Sequence, residues 1–169
     1  MIEGKDILTK GVKAIEVETP KSISQLLAEM SQTGFQGKNL AKVVDVMEEM
    51  IKDEDTTILL GYAGSLSIAG QWKIINWLIE NRFIDILVPT GANISEDIVE
   101  AMGYGYWQGS HLADDRMLFG LGLNRYYDVY GRENDYLKMT ELIADFIEVL
   151  DENYTYSSRE FLYLFGKWL

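Results

Sequence analysis

Two runs of small and hydroxyl-bearing residues each follow a short apolar segment, and they are the places where this sequence could bind a ligand. The first run, Gly61–Ser65, follows Thr56–Leu60, and the second, Thr90–Asn93, follows Ile84–Val88. Small residues let a ligand approach the backbone, and N–H groups at the start of a helix attract phosphate. The first run lacks the spacing of the dinucleotide fingerprint and of Walker A. A phosphate-binding loop and a tight strand-to-helix turn therefore both stay open.

Two carboxylates follow the second run. We expect Glu96 and Asp97 in the first turn of a short helix over 96–102, with Ser95 or Asn93 as its N-cap. The helix dipole favours acidic residues there, so helix stabilisation explains one carboxylate without any function. The same position lets the other bind a ribose hydroxyl or a ligand ammonium group.

The only histidine of the sequence, His111, precedes Asp114 and Asp115. One histidine with adjacent carboxylates lacks the spacing of a defined metal site, so we predict no metal and a surface histidine. Arg125 could pair with a phosphate or a carboxylate of a ligand. A structural ion pair is the more common role for such an arginine.

The elements that must position these residues form a βαβ pattern. Both apolar segments alternate little, which is typical of strands buried on both faces of a parallel sheet. Between them, Ile68, Trp72, Ile75 and Ile79 form one helical stripe, widened by further apolar residues, so we expect a well-buried helix. The carboxyl ends of parallel strands meet at one edge, where ligands of such sheets bind.

The remaining sequence predicts mainly helices. Capping boxes are expected at Ser22 with Gln25 and at Ser157 with Glu160. A stripe from Leu40 to Ile51 indicates a helix, and Tyr126–Tyr130 is a possible strand. A helix over 134–150 should direct five apolar residues to the core: Leu137, Leu142, Ile143, Phe146 and Ile147. Residues 1–21 are expected to form an N-terminal arm, and residues 22–169 one domain.

The composition limits the classes of function. The chain has 169 residues, enough for one domain, and a net charge of -12 from 27 acidic and 15 basic residues. Phosphate contacts need Lys and Arg, so we expect no nucleic-acid binding; the acidic charge could attract polyamines. There is no cysteine, which excludes disulfides and thiolate sites. Without a signal-like start or an apolar span of about 20 residues, we expect no membrane association and a cytoplasmic location.

The chain resembles the deoxyhypusine synthase family through an ordered set of segments that runs from about residue 22 to the end. The segments are T-G-F-Q at 33–36 with Asn39, Leu60–Tyr62, Asp85–Ala92 with Glu96 and Asp97, Asn124–Arg125, Tyr156–Glu160 and Gly166–Lys167. The resemblance implies an α/β fold with a Rossmann-like parallel sheet flanked by helices, of which this chain would carry the incomplete N-terminal half.

The family's activity is NAD-dependent transfer of the aminobutyl group of spermidine to a lysine of the hypusine-bearing translation factor. Its enzymes are homotetramers with active sites at subunit interfaces. Carried over by position, the resemblance assigns NAD contacts to Gly64, Ser65, Leu66, Ser67, Ile68, Thr90, Gly91, Ala92 and Glu96. It assigns polyamine contacts to Ser95 and Glu96.

Three departures shape the expected function. Gly64-Ser65 stands where eukaryotic members usually have Ser-Asn, and Ser95 stands where many members have a glutamate that helps to hold the polyamine. The family's catalytic lysine falls in a C-terminal half, and Lys167 does not match it, so no catalytic residue is assigned and we expect no turnover by this chain alone. The alternatives are a homospermidine synthase-like enzyme with a small amine acceptor, a non-catalytic partner subunit of a longer paralogue, and a domain for another nucleotide.

Overall fold

The computed structural model describes residues 9–17 and 20–169, which divide into two compact units, Met1–Ile58 and Leu59–Leu169. Within the expected N-terminal arm, residues 9–17, 20 and 21 have no helix or strand. The rest of that arm, residues 1–8, 18 and 19, lies outside the described part.

The described residues of the first unit form two helices, α1 (Ile23–Met30) and α2 (Phe35–Lys52). The predicted capping box at the start of α1 is confirmed, since the Gln25 N–H donates to Ser22 Oγ and the Ser22 N–H to Gln25 Oε1. Gly34 is the N-cap of α2, and Ala41 is the buried residue of that helix.

The second unit begins with the predicted βαβ pattern. Strands β1 (Leu59–Tyr62) and β2 (Ile86–Pro89) pair in parallel, with α3 (Trp72–Glu80) between them in sequence and α4 (Gly91–Ala101) after them. The expectation of strands buried on both faces is wrong, because exposed and half-buried residues alternate along both strands. Leu59, Ile86 and Val88 share one face of this pair, and their side chains are exposed.

Helix α3 is also less buried than its sequence predicts. Only Ile75 of this helix is buried, whereas Ile74, Trp77 and Ile79 are about half exposed. The stripe was expected to begin at Ile68, but the helix begins four residues later because residues 66–70 form turns.

A second, antiparallel sheet follows in the region that the sequence left ambiguous. Its strands are β3 (Trp107–Gln108), β4 (Leu123–Tyr126) and β5 (Val129–Arg132) in the order β3-β5-β4, with α5 (Asp115–Gly120) before β4. The single strand expected over 126–130 is wrong, because the chain reverses at Tyr127, whose φ of 58° lies in the left-handed region. Turn geometry at this position, not apolar patterning, ends the strand.

Two helices, α6 (Glu133–Glu148) and α7 (Ser158–Trp168), complete the second unit. The predicted capping box of Ser157 and Glu160 is confirmed. Phe146 is the centre of an aromatic cluster, with ring centroids 5.3, 5.0 and 5.5 Å from those of Phe161, Phe165 and Trp168. Of the core residues expected on α6, Leu137 and Ile147 are instead exposed, and Met139 and Asp135 occupy the buried side.

The described chain is thus a mixed α/β protein with a small parallel sheet and several helices, as the sequence predicts. Among the helices of residues 9–17 and 20–169, none is both long and apolar enough to cross a membrane.

Candidate functional site

The two small-residue loops lie side by side. In the β1–β2 pairing, Tyr62 is opposite Pro89, and the Thr90 N–H donates to the Tyr62 carbonyl across 3.2 Å. Both carboxyl ends therefore meet at one edge of the parallel pair, as the βαβ pattern predicts. This edge is the candidate site.

The first loop turns through two residues with positive φ: Gly64 at 99°, which glycine adopts freely, and Ser65 at 53°, which is strained. A non-glycine residue in the left-handed region usually depends on surrounding contacts to hold it there. The first loop continues through residues 66–70, which form turns closed by the Gln71 N–H, which donates to the Leu66 carbonyl. The idea that this loop opens directly into a helix N-terminus is therefore wrong.

The second loop does open into a helix. Thr90 is the N-cap of α4, although its side chain makes no capping hydrogen bond, and the helix begins at Gly91. The expectation that Ser95 or Asn93 caps this helix is wrong, because the helix begins earlier. Glu96 and Asp97 are accordingly its sixth and seventh residues, past the first turn, so the helix dipole does not explain them.

Three consecutive residues of the first loop donate hydrogen bonds to three side chains of α4. The Ser65 hydroxyl donates to Glu96 Oε1 across 2.8 Å, and the Leu66 N–H donates to Asn93 Oδ1 across 3.1 Å. The Ser67 hydroxyl donates to Asp97 Oδ1. The loop is thus tied along one face of the helix.

Burial sets the electrostatics of this contact. Glu96 is only 3% exposed, and its Oε2 has no hydrogen-bond partner among the described residues. Burial raises the pKa of Glu96, and the charge of Asp97 adds to this, whereas the hydrogen bond from Ser65 and one from the Ile68 backbone lower it. Burial likewise raises the pKa of Asp97 and of Glu100, one helical turn further on. The site therefore holds three carboxyl groups whose ionised forms a bound cation would stabilise.

Three tyrosines lie close enough to Glu96 for its charge to affect their pKa values. Burial is the main reason why the pKa values of Tyr106, Tyr126 and Tyr136 are raised, and the charge of Glu96 contributes at each of them. The Tyr106 and Tyr136 hydroxyl oxygens lie 3.0 Å apart. These phenols stay protonated at neutral pH, so they can donate hydrogen bonds.

An open cavity of about 370 Å³ adjoins the acidic face of α4. Its lining residues are Trp72, Asn76, Asp97, Glu100 and Ala101. A second cavity, of about 390 Å³, separates the first loop from the β4–β5 turn. Its lining includes Gly64, Ser65 and Ile68 on one side and Tyr126–Val129 on the other. Both volumes lie in the range of small-molecule pockets.

The residues assigned by position to cofactor and polyamine differ in accessibility. Gly64, Gly91, Ala92 and Thr90 are exposed, whereas Ser67, Ile68 and Glu96 are buried. Ser95 is half-buried, and its hydroxyl donates to the Ala92 carbonyl. Glu96 therefore lies beneath the first loop and not at its open edge.

The other candidates from the sequence lie in structural contacts. Arg125 makes a two-pronged ion pair with Asp115, at 2.6 and 2.9 Å, which lowers the pKa of the Asp115 carboxyl. The exposed His111 stacks on Tyr127 with 5.2 Å between centroids. In the part of the chain that the structure describes, no group of His, Asp and Glu is arranged to hold a metal.

Sequence reasoning missed two features of the site. Sequence spacing suggests Asn93 only as a cap, yet Asn93 contacts both loops; the tyrosines come from β4, from α6 and from the segment before β3. The spacing of Asn93, Glu96 and Asp97 on one helix face could have revealed the first feature. Nothing in the sequence indicated the second, because it depends on the antiparallel sheet.

Comparison with known proteins gives the family. A family model described as deoxyhypusine synthase matches residues 25–169. The protein named "Probable deoxyhypusine synthase 2" of Methanosarcina mazei is 46% identical over 147 residues, which are 87% of this chain and 42% of that protein. The deoxyhypusine synthase-like protein of Chlorobaculum parvum is 34% identical over 163 residues, which are 96% of this chain and 46% of that protein.

The fold has a solved counterpart. A crystal structure of a candidate deoxyhypusine synthase from Entamoeba histolytica superposes with a TM-score of 0.58 at 17% identity, covering 92% of this chain and 54% of that one. The present chain spans less than half the length of the two relatives named above. Because the family model and these relatives cover most of its residues, this chain belongs to the deoxyhypusine synthase family.

Proposed function

We propose that this chain supplies part of the site for NAD-dependent transfer of the aminobutyl group of spermidine to a lysine of the hypusine-bearing translation factor. One observation carries the proposal. Both loops that the family resemblance assigns to the cofactor lie at one edge of the parallel pair, and the first is tied to the helix that bears Glu96 and Asp97.

The second loop fits a dinucleotide. Gly91 and Ala92 are exposed at the N-terminus of α4, and open space surrounds the position where a Cβ of Gly91 would lie. N–H groups at the start of an 11-residue helix favour a pyrophosphate. We infer that Thr90, Gly91 and Ala92, with the first loop from Gly64 to Ile68, would hold NAD. When bound, NAD would supply the oxidation of the amine.

Glu96 would act from beneath the first loop. Its Oε1 already accepts from Ser65, and its Oε2 has no partner among residues 9–17 and 20–169, so it can accept a further hydrogen bond. A ribose hydroxyl or a ligand ammonium group would reach this carboxylate by taking the place of Ser65 or by approaching Oε2. The raised pKa of Glu96 means that a cationic ligand would also stabilise its ionised form.

Polyamine binding would draw on the acidic face of α4. Asp97 and Glu100 line the cavity beside Trp72, which suits an ammonium group near an aromatic ring. Ser95, which the resemblance assigns to the polyamine, donates its hydroxyl hydrogen bond to the Ala92 carbonyl. Because Ser95 stands where many family members have a glutamate, one acidic contact to the polyamine is missing, which leaves room for the second candidate, a homospermidine synthase-like enzyme with a small amine acceptor.

The wider assembly is part of the proposal. We propose a Rossmann-like sheet, of which residues 22–169 would form the N-terminal part after an arm over 1–21, in a cytoplasmic homotetramer or in a complex with a longer paralogue. The exposed apolar side chains of Ile74, Trp77 and Ile79 support such association. They equally suit a non-catalytic partner subunit.

Titration calorimetry of the purified chain with NAD tests the proposal. We expect binding by the wild-type chain and its loss in Gly91→Asp, because a carboxylate at this position repels the pyrophosphate while remaining compatible with a helix start. Gly105→Asp is the control, since open space also surrounds Gly105, outside both loops. A wild-type chain that does not bind NAD would refute the proposal.

Turnover is a separate test. With radiolabelled spermidine, NAD and the translation factor, the chain alone should transfer no label, because no lysine in it matches the family's catalytic one. Competition with a diamine acceptor, after addition of a longer paralogue, would separate the two candidate enzymes. NAD- and spermidine-dependent product from the chain alone would contradict the proposal that this chain supplies only part of the site.

A further inference from the structure

Asn93 is among the most completely buried polar residues of the described chain, with 1% of its surface exposed. It is the third residue of α4. Both polar atoms of its side-chain amide make hydrogen bonds. Oδ1 accepts from the Leu66 N–H across 3.1 Å, and Nδ2 donates to Thr90 Oγ1 across 2.8 Å.

These two hydrogen bonds join the two loops of the candidate site through one side chain. Leu66 belongs to the first loop and Thr90 to the second, and the Asn93 N–H also donates to the Thr90 carbonyl across 3.1 Å. Leu66 lies between Ser65 and Ser67, whose hydroxyls donate to Glu96 and Asp97. The position of the Leu66 N–H therefore sets where both serine hydroxyls meet the helix.

We infer that Asn93 is a positioning residue that holds both candidate cofactor loops in their ligand-binding arrangement. The role in ligand binding rests on the proposed function, whereas the role in loop order does not. An amide suits the position because it offers an acceptor and a donor on one short, neutral group. Leucine has the same branched arrangement of side-chain heavy atoms but offers neither, so Asn93→Leu removes both hydrogen bonds. Its methyl groups are larger than the amide oxygen and nitrogen, so the exchange rates of the distant core must also be measured to separate loop opening from overpacking.

Amide hydrogen exchange tests the positioning role without any ligand. In Asn93→Leu, the Leu66 amide should exchange about tenfold faster, as expected for the loss of one buried hydrogen bond. Amides of α6, such as that of Phe146, should keep their rates, because local opening does not involve the distant core. The control is Asn81→Leu, which removes a side-chain hydrogen bond of 2.8 Å to the Trp77 carbonyl, away from both loops.

Two results would overturn the inference. One is unchanged exchange at Leu66. The other is equal acceleration at Leu66 and throughout α6, since that would show a general stabilising role and no specific control of the loop.

Calorimetry with NAD tests the functional half. If the wild-type chain binds NAD, Asn93→Leu should weaken the affinity about tenfold and Asn81→Leu should not change it. Equal affinity of Asn93→Leu and wild type would overturn the inference and leave the proposed function intact. A wild-type chain without affinity would refute the proposed function, and the exchange rates would then decide the positioning role by themselves.

Discussion

Replacing Glu96 by glutamine should stabilise the chain at neutral and alkaline pH. Glu96 is nearly inaccessible, and within the described part of the chain one of its two carboxylate oxygens has no hydrogen-bond partner. Glutamine keeps an oxygen that can accept from Ser65 and removes the buried charge. A buried group without a partner costs about 1–3 kcal/mol, and the new amide nitrogen would itself be unpaired, so we expect a gain near the lower limit, about 1 kcal/mol.

The pH dependence follows from the direction of the shift. Burial raises the pKa of Glu96 in the folded chain above its ordinary value of 4.5, so the folded chain binds this proton more tightly than the unfolded chain. The protonated carboxyl group contributes most to the free energy of unfolding below the ordinary pKa. This contribution is lost as the pH rises through the raised pKa of the folded chain. The advantage of Glu96→Gln should therefore be small at low pH and grow toward alkaline pH.

Urea unfolding followed by tryptophan fluorescence, at several pH values from about 5 to 8, measures this difference. Glu141→Gln, an exposed carboxylate on α6, controls for removing one negative charge from an acidic chain. The destabilising effect of the buried charge is refuted if Glu96→Gln is less stable than wild type at the highest pH. It is also refuted if its effect is independent of pH or matches that of the control.

Three further changes test other contacts. Ser65→Ala removes the donor to the same glutamate and should lower the unfolding free energy by about 1–3 kcal/mol, more at high than at low pH, in the same urea series. Gly109→Ala places a Cβ 2.3 Å from the Tyr130 ring and should cost about 1–3 kcal/mol by thermal denaturation, whereas Gly105→Ala, in open space, should cost much less. Phe146→Ala opens the aromatic cluster and should cost about 3–5 kcal/mol; a loss below about 1 kcal/mol would show that the cluster does not stabilise the fold.

Local signals in the sequence predicted much of the fold. Both capping boxes, the order of strand, helix and strand, and the meeting of two loops at one sheet edge follow from residue spacing alone. These features depend on contacts within a few residues or on the general geometry of parallel strands, so no distant contact is needed to infer them.

Burial was the least predictable property. The apolar segments at Leu59 and Ile86 predict strands covered on both faces, yet each presents one exposed face. The apolar stripe of α3 likewise predicts a well-buried helix, yet only Ile75 of that helix is buried. Apolar character records that a side chain favours burial, but which surface covers it depends on elements elsewhere in the folded chain.

For the candidate site, the sequence by itself determined which residues could bind a ligand, because small residues, hydroxyls and carboxylates are recognisable by type and spacing. Only the tertiary structure decided how they are used. The βαβ pairing brings Ser65 over Glu96, hides that carboxylate from solvent and makes Asn93 the link between the loops. Hydrogen bonds between residues about 30 positions apart require the two strand ends to meet, and periodicity within either segment cannot specify them.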